Sequence, residues 1–107
     1  MPQYPYNAQN SQLTTNGGTK SHLNLTASTV INTGEGRVFS IAVNTAGTAG
    51  TFAVYDVATT GGVAAANLIW EGSATTAAGT VVILNFPYQV GLVVVPPTGG
   101  VLAVSYV

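Results

Sequence analysis

Short runs of β-branched and aromatic residues recur along this chain, and each is cut by glycine, proline or asparagine within a few positions. That punctuation constrains the fold more than any other feature. The stretch from Arg37 to Val57 states it most clearly. Arg37-Val38-Phe39-Ser40-Ile41-Ala42-Val43-Asn44 alternates, with Phe39, Ile41 and Val43 on one face and Val38, Ser40, Ala42 and Asn44 on the other. A period of two marks a strand with one buried face. Thr45-Ala46-Gly47-Thr48-Ala49-Gly50 is a small-residue turn whose glycines adopt positive φ without steric cost. Thr51-Phe52-Ala53-Val54-Tyr55-Asp56-Val57 is β-type again. The stretch predicts two adjacent antiparallel strands at the centre of a small all-β domain.

The rest of the chain repeats the pattern. Ser21 to Thr26 alternates, with Leu23 and Leu25 on one face, and Ser28 to Asn32 is a second short strand before the Gly34-Glu35-Gly36 turn. Val63 to Asn67 favours a turn of helix but is too short to stand alone. Leu68 to Gly72, Thr80 to Phe86, Val90 to Val95 and Val101 to Val107 read as strands, with Pro87 ending the second of these and Pro96-Pro97 the third. About eight strands, with turn signals every 8 to 12 residues or so, predict a single antiparallel β-sandwich or small barrel over residues 21–107.

Residues 1–20 follow neither period. Pro2 and Pro5 alternate with Tyr4 and Tyr6, and a polar run from Asn7 to Gln12 follows. Prolines pre-extend a chain, and tyrosine offers contact area with a polar tip. Residues 1–20 are expected to be an extended N-terminal arm, either a floppy terminus or a segment that orders against a neighbouring subunit. Candidate contacts are Tyr4, Pro5, Tyr6 and Leu13 on the arm, with Trp70 and Tyr88 on the domain.

Composition removes several function classes. Only 5% of residues are charged, Lys20 and Arg37 against Glu35, Asp56 and Glu71, giving a net charge of −1. Two cations cannot track a phosphate backbone, so no nucleic-acid partner is expected. Apolar runs such as Gly91 to Val95 fall far below the roughly 18 residues of a membrane-spanning helix, and no membrane partner is expected. No basic segment precedes an apolar one at the N-terminus, so no signal peptide is expected. The chain has no cysteine, which excludes disulfides and thiolate metal sites. A surface with so little charge repels its own copies weakly, which favours association.

The inventory is equally thin for catalysis. His22 is the only histidine and has no obvious partner or fellow ligands. Asp56 falls where a strand ends and is expected to accept backbone hydrogen bonds in a turn. Glu35 and Arg37 flank a turn as a solvated pair. Gly34-Glu35-Gly36 lacks the lysine, the spacing and the helix of a phosphate loop. Trp70, Tyr55 and Tyr88 could form a sugar platform, though a core or interface role suits Trp70 better. No catalytic residue, metal ligand or cofactor is assigned, and the chain is not expected to be an enzyme. A glycosidase would require two convergent carboxylates among Glu35, Asp56 and Glu71.

Several stretches carry a resemblance. They are Leu25 to Ile31, Gly34-Glu35-Gly36-Arg37-Val38-Phe39, Thr45 to Gly50, Val54-Tyr55-Asp56, Asn85-Phe86-Pro87, Gly91 to Val95 and Val104-Ser105-Tyr106. Over residues 23–107 the chain resembles a family of small structural proteins of tailed bacteriophages. The resemblance implies a capsid cement or decoration protein on the outer capsid surface of the virion, commonly a homotrimer, with the major capsid protein as partner. Another virion component, such as a tail, fibre or receptor-binding module, is the alternative. The arm has no counterpart in the resemblance. A 20-residue extended segment could reach about 65 Å, enough to cross to a neighbouring subunit.

Overall fold

A computed structural model describes residues 20–107, and the arm contacts Tyr4, Pro5, Tyr6 and Leu13 lie outside them. Lys20, assigned above to the arm, opens the first strand. The strands are β1 (Lys20–Leu25), β2 (Thr29–Thr33), β3 (Gly36–Thr45), β4 (Thr51–Tyr55), β5 (Leu68–Ser73), β6 (Val81–Tyr88), β7 (Gly91–Val95) and β8 (Val101–Tyr106). Two short 3₁₀ turns, Thr60–Gly62 and Ala65–Asn67, occupy the loop between β4 and β5.

The strands form two antiparallel four-stranded sheets, ordered β1-β8-β3-β6 and β2-β7-β4-β5. The expected β-sandwich is thus present. β1 pairs with β8, β2 with β7, β3 with β6 and β4 with β5. That is the pairing of one long antiparallel hairpin rolled over itself, the jelly-roll arrangement of two sheets. Rolling it up adds the inner pairs β3 with β8 and β4 with β7.

The Arg37–Val57 stretch departs from its expected hairpin. β3 and β4 are inner strands, but of different sheets. The turn between them bonds outward. Gly47 N–H donates to Ala74 C=O (2.9 Å), Thr48 N–H donates to Thr98 C=O (2.8 Å), and Ala49 bridges Thr98. With its donors committed to two other loops, the segment crosses from sheet to sheet.

The core lies between the sheets and includes Leu25, Ile41, Val43, Phe52, Val54, Leu92, Leu102 and Val104. Bulges decide which residues reach it. The β3 register shifts between Val38 and Ser40 against both neighbours. Phe39 is the extra residue against β8, whereas against β6 the extra one belongs to β6, at Leu84–Asn85. The alternation of β3 breaks at Phe39, so Val38 joins Ile41 and Val43 inside while Phe39 is half-buried. β1 shifts between His22 and Leu25, where Asn24 has φ 57°, so Leu25 is buried and Leu23 is exposed. Leu23 and Leu25 therefore do not share a face.

Pro87 lies within β6 and does not end it. Its partner Arg37 exchanges backbone bonds with Val107 (3.2 and 2.8 Å). The Arg37–Pro87 rung therefore needs no bond, and the proline nitrogen faces the open edge, where a missing donor is tolerated.

Candidate functional site

The first candidate is the end of the sandwich around Asp56. Its carboxylate accepts bonds from the N–H groups of Gln89 (2.9 Å), Val90 (2.8 Å) and Gly91 (3.3 Å). Burial pushes the Asp56 carboxyl up, but the three donors outweigh it and hold the group below its ordinary value. The expected turn acceptor is therefore present, yet it grips the β6–β7 turn and not its own. Asp56 N–H donates to Asn67 C=O (2.8 Å), and the Asn67 amide bonds Ala64 N–H (3.0 Å) and Gly62 C=O (2.9 Å). The whole β4–β5 loop is pinned from its two ends. Gly91 makes room for it, since a Cβ there would lie 2.6 Å from the Val57 carbonyl oxygen.

Tyr88 and Trp70, the two domain contacts expected from sequence, have different fates. Tyr88 is fully buried. Its hydroxyl accepts from Asn32 Nδ2 (2.8 Å) and donates to Val107 C=O (3.0 Å), so it ties the two sheets together. Burial pushes the phenol up, Asn32 opposes this and Tyr106 adds to it, so the phenol stays protonated and able to donate. It has no surface to offer a partner or a sugar. Trp70 is half-buried on the edge strand β5, edge-on to Phe52 with centroids 4.8 Å apart. Its ring lies across Gly72, where a Cβ would come within 2.5 Å of it. Trp70 caps the core and leaves only part of its ring at the surface.

A shallow cleft of ≈ 370 Å³ is lined by Glu35, Gly36, Arg37, Pro87, Tyr88, Gln89 and Val107. Arg37 there donates to Asn85 C=O (3.0 Å). Glu71 accepts from the Thr51 hydroxyl (3.2 Å) on the neighbouring strand. Among the described residues no three His, Asp or Glu side chains are grouped to hold a metal ion. His22 lies in the core-facing row with Val104, and its buried Nδ1 has no hydrogen-bond partner among the described residues.

The second candidate is the outer face of the first sheet. Register aligns Ser21, Ser105, Ser40 and Ile83 in one outward row, and Ala103, Ala42 and Val81 in the next. Leu23 stands beside them in the β1 bulge. The floor is small, and the Ser40 and Ser105 hydroxyls bond each other at 2.9 Å. The rims are large and open, with Leu23 66%, Val81 56% and Ile83 60% exposed. No charged side chain lies in either row. This face offers no acid, base or nucleophile beyond the serines. It can make apolar and neutral hydrogen-bonded contact with another protein. Sequence reading missed Leu23, Val81 and Ile83. The alternation within Thr80 to Phe86 held the signal for the last two, but which face was outer depended on register.

No family model, curated protein or solved structure matches this chain.

Proposed function

We propose that this chain is a capsid cement protein of a tailed bacteriophage, bound to the outer capsid surface as an oligomer and stabilising the shell through the major capsid protein. The observation that carries this reading is the pair of uncharged rows on the outer face of the first sheet, with three exposed apolar side chains around a small-residue floor and Arg37 lying beyond them at one end. Exposed apolar area of this kind favours lasting burial against protein. The family resemblance supplies the virion context. The jelly-roll arrangement supports it by analogy alone, since capsid proteins share that architecture with lectins and cupins. A rigid sandwich suits a clamp on a shell under outward pressure, where repeated modest contacts on a lattice add by avidity.

The test is to mix the purified full chain with expanded, DNA-free shells of the phage that encodes it, sediment them and image the particles. The expected result is ordered density on the outer capsid surface and shells that open at a higher temperature. Density on the tail would move the chain to the alternative virion role. A chain left wholly in the supernatant, and missing from infectious particles, would overturn the reading.

A further inference from the structure

The four edge strands of the sandwich are not equally protected. An open edge presents unpaired N–H and C=O groups to any other strand, and proteins blunt it with charge, proline or bulges. β1 begins with Lys20 and is bulged at Leu23–Asn24. β2 is bulged at Ile31. β5 carries Glu71 and is irregular at Ile69. The second half of β6 is blunted by Asn85, at φ 47°, and by Pro87. The β6 ladder is also bulged at Leu84–Asn85, so only its first three residues, Val81-Val82-Ile83, have none of these devices, and no charged residue occurs from Gly72 through Val107.

We propose that this half-strand joins two copies of the chain, β6 to β6, antiparallel about a two-fold axis through Val82. The inference rests on reading the chain as a docking protein, and it names one partner as the chain itself. Backbone geometry selects the register. Val43 bonds Gly79 and Thr80 (2.7 and 2.8 Å), and Ile41 stands opposite Val82. Bonding alternates along an antiparallel ladder, so Val82 faces β3 while the N–H and C=O groups of Val81 and Ile83 face the open edge. With the axis at Val82, Val81 of each copy meets Ile83 of the other as a bonded pair, on the same outer face. Four backbone bonds form, and two Val–Ile contacts close over the seam. Moving the axis to Ile83 would bring Asn85 and its positive φ into the ladder. The identical edges carry no charge, so they do not repel.

The seam fuses two first sheets into one of eight strands and doubles the neutral outer face presented to a shell. Few residues form it, so the contact belongs with small, reversible interfaces and depends on concentration. It closes at two copies, whereas the resemblance implies three.

The test is the solution mass of the full chain from about 1 to 500 μM, a span chosen for a reversible interface, together with amide exchange at Val81 and Ile83. The expected result is a shift from one chain to two, with both amides slowing as the pair forms. Ile83→Pro removes an outward N–H without touching the β3 ladder, and Ile83→Lys guards the edge with charge. Each should keep the far-UV spectrum and stay at one chain throughout. A wild-type mass of one chain at every concentration, a three-chain mass, or a pair that survives both variants would overturn the proposal. No shells enter the measurement, so its failure is separate from a failure of shell binding.

Discussion

The two outer faces of the sandwich come from the same strand types, yet one is closed and the other open. On the second sheet, Val93 points away from the core between Leu92 and Val94, and Ala53 lies between Phe52 and Val54. Both are nonetheless buried. Val93 stands in a row with Val30 and Tyr55, which are large and half-buried, and the pinned β4–β5 loop passes over nearby Gly91. On the first sheet the corresponding rows are serine and alanine ending in Ile83 and Val81, and among the described residues no loop is comparably pinned beside them. A face covered by its own chain contributes to folding. A face left neutral and open contributes to folding little and is available for association. Substitutions should therefore separate, with stability responding on the closed side and assembly on the open side.

The largest effect should come from Asp56→Ala. It leaves three backbone donors without their charged acceptor and frees the β4–β5 loop, at a cost of about 3 kcal/mol. Denaturant unfolding measures it directly. pH gives a second reading of the same clamp. The folded carboxyl is held below its ordinary value, so its contribution is fully present above the unfolded value of about 4 and is lost as pH falls through the folded one. Wild type should lose stability in that acid window. Asp56→Asn should be less stable at neutral pH and should lack this part of the acid slope. An unchanged slope would detach Asp56 from the closure of the second face.

Gly91→Ala should follow, at about 2 kcal/mol, because the new methyl meets the Val57 carbonyl and the Ala58 backbone and the loop must move. Tyr88→Phe should cost less, about 1 kcal/mol, by leaving Asn32 Nδ2 and the Val107 carbonyl without their hydroxyl partner. Both are read as shifts in the unfolding midpoint at unchanged slope. Equal losses from comparable changes on the open face would erase the contrast between the two faces.

Much of the fold was legible because strands and turns are local. Eight strands and the small-residue loops follow from neighbours in sequence. What was not legible depended on single inserted residues or on distant partners. The bulge at Phe39 exchanged Val38 for Phe39 in the core, and alternation alone cannot reveal an insertion into a ladder. The Asp56 donors lie 33 to 35 residues away, and Tyr88 depends on Asn32, 56 residues away. The β3–β4 segment resembled a hairpin turn until its donors were traced to Ala74 and Thr98. The neutral face was the least visible feature, since its rows combine β1, β8, β3 and β6 and exist only once their register is set.

The smallest effect is expected at the centre of that open face. Ser40 and Ser105 lie on inner strands, and their hydroxyls bond each other at 2.9 Å. Ser40→Ala and Ser105→Ala should each shift stability by no more than about 0.5 kcal/mol, because each hydroxyl is only part-buried and water can replace the lost partner. A double-mutant cycle should give a coupling below about 0.5 kcal/mol in the free chain. Measured again with shells bound, the same cycle tests the face itself. If the serines are covered on binding, water can no longer replace the missing hydroxyl, and each single variant should weaken binding more than the pair predicts. A coupling that stays the same with and without shells would mean that the floor of this face remains wet, and that only the apolar rims at Leu23, Val81 and Ile83 make contact.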